Sequence, residues 1–219
     1  MITSIFERVG IEISNTFLGS REQARIGMTY GNALVEIKRR IEAGDIPRND
    51  NFYKSEKNER SKAETLLEGV LIKAKQEYEE KKIKYYSYFL ANLTFDESTD
   101  YYKASTLLRL AEQLSYRQII IIAFFYRQKE VNIGQWDISF LRNSKLQIYH
   151  DFYTELMDLY NKQLIQQTGR DGISMGLHEL TSSPIGNKLS QLMNLDKISH
   201  DDIQEIDTTI STIKMIIKS

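Results

Sequence analysis

The stretch SYRQIIIIAFFYR, Ser115 to Arg127, decides the fold. Its apolar residues are continuous rather than striped, and four consecutive isoleucines favour a sheet. A buried strand and a helix buried on nearly all sides both fit such a run. The flanks break the tie. The residues before it, from about Asp100 to Leu114, and the amphipathic segment from Ser144 to Gln167 both repeat at helical spacing. The stretch is therefore read as a helix, and the chain as mainly α. Proline usage agrees: there are two prolines, and none lies between Pro47 and Pro184. An interior that long without proline favours long helices.

Working outward, the spacing predicts a helix from about Thr3 to Leu18, with Ile5, Phe6, Val9, Ile13 and Phe17 on one face. A second runs from about Arg21 to Ala43 with Gly44 as its terminator. A long helix is expected from about Ser55 to Leu93, with Leu67, Val70, Leu71, Ala74 and Tyr78 on one side and mixed charge on the other. Ser98 and Thr99 are candidate caps for the helix beginning near Asp100. ISMGLHEL, residues 173–180, approximates strand alternation. Ser183 before Pro184 reads as an N-cap followed by proline at the first helical position.

The tail, HDDIQEIDTTISTIKMIIKS at 200–219, places isoleucines at 203, 206, 210, 213 and 217. Ser199 is its candidate cap. Three-four spacing is the seam of a coiled coil, and isoleucine at both positions tends toward more than two strands. Only about two heptads are present, so the stripe leans either on other copies or on a groove in its own fold. It is read as an oligomer or docking stripe, and a homo-oligomer is expected.

The fold class that results is a long-helix bundle with a winged-helix-like module, including a short β-hairpin, near the C-terminus. Four parts are expected: an N-terminal helical pair (1–50), a long-helix core (51–130), the winged-helix-like module (131–196) and the C-terminal amphipathic helix (197–219).

Composition limits function. The chain has 219 residues, 41% hydrophobic and 27% charged, with a formal net charge of −1 and no cysteine. No global basic field marks a nucleic-acid or membrane binder. Without cysteine there are no disulfides, thiolate metal sites or cysteine nucleophiles. The longest apolar run, Ile119–Tyr126, is far short of the roughly 20 residues that span a bilayer. Glu7 and Glu12 against Arg8 do not suit a membrane-lying helix either. A cytoplasmic location without a membrane span is expected. His150, His178 and His200 have no metal-ligand spacing, and no phosphate loop or nucleophile elbow is present. The expectation is a non-enzyme without cofactor or metal.

The order from Arg117 to Leu195 resembles a winged-helix module, in which an LT..G-type segment leaves the wing and enters the last helix. Here that segment is Leu180, Thr181 and Gly186. The resemblance implies a recognition helix over Ser144–Gln167 and a wing over Ile173–Leu180, with Arg142, Lys145, Arg170 and Lys188 as phosphate contacts and Tyr149 beside them. Charge argues the other way. Residues 151–219 carry six basic and ten acidic side chains, and a helix entering a phosphate-lined groove should not be net negative. Nucleic acid is thus the alternative partner and protein the favoured one. The lysine- and tyrosine-rich KKIKYYSYF invites base stacking, but a tyrosine-rich core explains it better.

Across residues 60–195 the chain also resembles bacterial abortive-infection alpha proteins and related phage-associated helical proteins. YYSYFLANLTFDES, LRLAEQLSYRQIIIIAFF and LHELTSSPIGNKL carry the likeness, with the ANL and LT..G steps in the family's order. The resemblance implies a setting, the response to phage, and carries over no catalytic residue.

Overall fold

The computed structural model describes residues 19–55, 59–127, 147–167 and 180–218. Among them are eight α-helices and one antiparallel pair of short strands. They fall into two compact units: Met1–Gln113 with Leu192–Asn194, and Leu114–Gln191 with Leu195–Ser219. The boundary thus lies inside the segment read as 51–130, and the tail belongs to the second unit. No helix among the described residues is long and apolar enough to cross a membrane. The N-terminal helix read over Thr3–Leu18 and most of ISMGLHEL lie outside the described residues.

In the first unit, α1 (Ser20–Glu42) packs on α2 (Lys62–Gln76) and α3 (Ile83–Leu93), and α2 packs on α4 (Tyr101–Gln113). Gly44, at φ +96°, follows the end of α1 in the left-handed conformation that glycine tolerates. A reciprocal capping box starts α2. Ser61 Oγ accepts from the Glu64 amide at 3.2 Å, and Glu64 Oε2 accepts from the Ser61 amide at 2.8 Å. Leu67, Val70, Leu71 and Ala74 are buried as their spacing predicts, whereas Tyr78 is exposed.

The single helix expected from Ser55 to Leu93 is in fact two. Glu77 turns extended, at φ −70° and ψ 123°, and a short 3-10 turn (Glu80–Lys82) leads into α3. Glu77 is buried and its carboxylate holds the break. It accepts the Glu79 amide at 3.0 Å and the Tyr86 hydroxyl at 3.2 Å, and it pairs with Lys82 Nζ at 2.5 Å. Burial, together with the Glu77 charge, pushes the Tyr86 hydroxyl well above its ordinary pKa. QEYEEKK is made of good helix formers, so local propensity gives no warning. The buried Glu77–Lys82 ion pair, which spans the break, overrides it. Tyr85, Tyr86 and Phe89 are fully buried, so the tyrosine-rich stretch supplies core.

Asp100, rather than Ser98 or Thr99, caps α4, accepting from the Lys103 amide at 2.8 Å. The Ser98 and Thr99 hydroxyls instead donate to Asp96, both at 2.6 Å. Asn92, in the middle of the ANL step, links three segments. Its Oδ1 accepts from Arg40 at 2.8 Å, and its Nδ2 donates to the Leu192 carbonyl and to Asn194 Oδ1, both at 2.9 Å. That side chain helps seat Leu192–Asn194 within the first unit.

Arg48 is buried in the loop after α1. It donates to Asp50 Oδ1 at 2.9 Å and to the Thr99 carbonyl at 3.0 Å, and it lies 4.0 Å from the Phe52 ring centroid. The hydrogen bond from Arg48 holds the Asp50 carboxyl below its ordinary range. A depressed carboxylate contributes stability that is present above its unfolded pKa and lost as pH falls through its folded one. Between about pH 4 and pH 2, Asp50→Asn should therefore flatten the acid loss of melting temperature relative to the parent chain. Parallel melting curves across that range would contradict this.

In the second unit, SYRQIIIIAFFYR is α5 (Tyr116–Arg127). Gln118 to Phe125 are all buried. Ser115 and Gln118 cap it reciprocally: Ser115 Oγ accepts from the Gln118 amide at 3.1 Å, and Gln118 Oε1 accepts from the Ser115 amide at 3.0 Å. This S-x-x-Q signature is a helix start that a strand has no use for. The 3-10 turn Leu195–Lys197, strand β2 (Leu180–Ser182) and helices α6 (Gln147–Asn161) and α8 (His200–Lys218) pack against α5.

Ser199 caps α8, accepting from the Asp202 amide at 3.2 Å. Ile203, Ile206, Ile210 and Ile213 are buried within a single copy of the chain. Tyr116 on α5 donates to Asp202 Oδ2 at 3.0 Å, fixing the register between the two helices. The stripe therefore leans on a groove in its own fold. Ile217 has no described side chain. Ile210→Val should lower stability by about 1 kcal/mol, with no dependence on protein concentration. A stability difference between parent and variant that changes with protein concentration would contradict the intramolecular seat.

Candidate functional site

One concavity among the described residues lies in the second unit, where α6 ends and α7 (Pro184–Leu192) begins. The helix expected to reach Gln167 stops at Asn161. Gln163 takes φ +58°, the Leu164 amide donates to the Leu159 carbonyl at 2.9 Å, and the Gln163 amide donates to the Tyr160 carbonyl at 2.9 Å. This is a Schellman ending with glutamine in the left-handed place usually held by glycine, which hides the stop from a sequence reader.

The chain then forms β1 (Ile165–Gln167), antiparallel to β2, with Ile165 opposite Ser182 and Gln167 opposite Leu180. Ser183 joins the turn to α7. Its Oγ donates to the Gln163 carbonyl and accepts from the Gly186 amide at 3.0 Å, and its amide donates to the Leu164 carbonyl at 3.1 Å. Gly186 sits directly against that carbonyl. A Cβ there would overlap the Leu164 carbonyl oxygen and lie 2.9 Å from Ser182 Oγ. The spacing from Leu180 to Gly186 thus has a steric cause: three residues of strand, the capping Ser183, Pro184 and Ile185 in the first turn, then the glycine that lets α7 approach β1.

These elements border an open pocket of about 630 Å³, within the range of small-ligand sites. Ile165, Pro184 and Ile185 give it apolar surface. Tyr160, Asn161, Gln163, Gln166 and Ser183 give it neutral hydrogen-bonding groups. Among the described residues, no carboxylate, ammonium, guanidinium or imidazole lines it. The described lining can hold and orient an uncharged segment.

Charge gathers elsewhere on α6, in Asp151, Glu155 and Asp158. Arg117 bridges Glu155 at 2.9 Å and Glu205 at 2.8 Å. Burial pushes the Glu155 carboxyl up despite Arg117. Burial also opposes ionisation of Asp158, but hydrogen bonds from Lys162 and Gln118 outweigh it and hold that carboxyl below its ordinary range.

Of the expected phosphate contacts, Arg142, Lys145 and Arg170 lie outside the described residues. Tyr149 is in the first turn of α6, without a described side chain. Lys188 is half-exposed on α7 and does not line the pocket. His150 and His200 are exposed on different helices, and His178 lies outside the described residues. Asn161, Gln163 and Gln166 escaped the sequence reading because amides have no motif of their own. Only Ser183-Pro184 pointed toward the place. The chain matches no protein-family model, no curated protein and no solved structure.

Proposed function

We propose that this chain is a non-enzymatic helical interaction protein that holds an uncharged protein segment in the pocket between the end of α6 and the start of α7. The observation that carries this is the lining itself. Apolar surface from Ile165, Pro184 and Ile185 adjoins the neutral side chains of Tyr160, Asn161, Gln163 and Gln166, which are able to pair with backbone amides. The order of the ANL and LT..G steps supports a setting in bacterial defence against phage. A peptide library selected on the purified chain tests the reading, with Ile185→Arg as counter-selection. Peptides with uncharged cores should emerge and lose at least tenfold in affinity for the Ile185→Arg chain. Selected peptides that bind the variant equally well would refute it.

The alternative is a winged-helix nucleic-acid-binding regulator. It is disfavoured because Gln147–Asn161 carries Asp151, Glu155 and Asp158 and neither lysine nor arginine. Among the described residues, the basic groups Arg117 and Lys162 are already paired with two of those acids.

A further inference from the structure

Helix α1 carries two apolar faces, of which one is used within the first unit. Ile26, Ala33 and Ile37 are buried there. On the opposite side Ala24, Met28, Gly31 and Val35 repeat at four, three and four residues, a second seam at coiled-coil spacing. Met28 is 45% exposed and Val35 69%. A Cβ built on Gly31 meets nothing within 4 Å, so a second backbone could approach closely at that point.

The seam is also self-complementary. Reversed about the midpoint between Gly31 and Asn32, it places Met28 opposite Val35 and Arg21 opposite Glu42. An antiparallel pair of these helices would therefore repeat the apolar contact twice around the close approach. It would be closed at both ends by opposite charges, as an isologous twofold interface requires. Arg21 and Glu42 are both exposed, and among the described residues Glu42 meets a long surface contact from Lys38, at 3.8 Å.

We propose that a second copy of this chain occupies the exposed face of α1, antiparallel and centred between Gly31 and Asn32. This surface is separate from the pocket and from the isoleucine stripe, and the inference stands independently of the proposed function. The seam is short, so the dimer is a weak one that forms as concentration rises.

The full chain tests it directly. It has no cysteine, so Asn32→Cys introduces a single thiol beside the twofold axis. Mild oxidation should link most Asn32→Cys chains in pairs, while Tyr78→Cys, on another exposed site, should link few. Light-scattering mass should rise toward two copies between micromolar and submillimolar concentration. Arg21→Glu or Glu42→Arg alone should weaken the dimer at least fivefold, and the two together should restore it. Restoration reads the pairing itself and not folding. A strict monomer throughout, equal cross-linking at both positions, or a double reversal no better than the single ones would overturn the proposal. So would dimerisation seen only after deletion of residues 2–18, which would make that segment the occupant of the face.

Discussion

Lys82→Met should destabilise the first unit by about 3–5 kcal/mol, read as the shift in chemical-denaturation midpoint. The side chains of Lys82 and Glu77 are only 3% and 6% exposed and meet at 2.5 Å. Removing the ammonium leaves a buried carboxylate with the Tyr86 hydroxyl and the Glu79 amide as its remaining partners. That is the costly way to break an ion pair, because the desolvation of the surviving charge is no longer offset. Glu77→Leu combined with Lys82→Met removes both charges, and the double variant should recover most of the loss. A double variant as unstable as the sum of the two singles would show that the pair is not coupled. The consequence is structural as well as energetic. The pair fixes where α2 stops and α3 begins, so the single variant should also raise hydrogen exchange across residues 77–82.

Gly186→Ala should cost about 3 kcal/mol or more, although alanine is the better helix former. Propensity predicts a small gain. The geometry predicts a large loss, because the new methyl would overlap the Leu164 carbonyl oxygen, which is backbone and cannot swing aside. Helix α7 would have to retreat, taking Ser183 with it. Ser183 is the residue whose hydroxyl joins the Gln163 carbonyl to the Gly186 amide. The pocket would lose its α7 wall, so the selected peptides should weaken along with the melting temperature. A neutral or stabilising Gly186→Ala would mean that α7 does not lie this close to β1.

The helical fold was legible because Ser115–Arg127 sits between helical flanks and the long interior lacks proline. Ser183-Pro184, Ser199 and Gly44 marked their helix ends correctly, since each acts through its own local chemistry. The misread ends share a different cause. At Glu77 a buried ion pair with Lys82 interrupts a run of helix formers, and at Gln163 a residue without glycine's freedom takes the left-handed place. Asp100 took the cap from its neighbours because Asp96 had already engaged Ser98 and Thr99. The isoleucine stripe was legible as a seam but not as to its occupant, because a groove and a second copy demand the same spacing. The candidate site was the least legible part, because its amides come from a helix end, a strand and a turn that only the fold brings together.

The measurement that bears most directly on protein rather than nucleic-acid recognition is the affinity of the full chain for a duplex and for a single strand between about 50 and 300 mM salt. A groove reader neutralising several phosphates would lose affinity steeply over that range. With Asp151, Glu155 and Asp158 on α6, the expected result is no specific binding and no salt slope for either strand form. Tight duplex binding whose logarithm falls linearly with the logarithm of salt, with a slope of several units, would contradict the account.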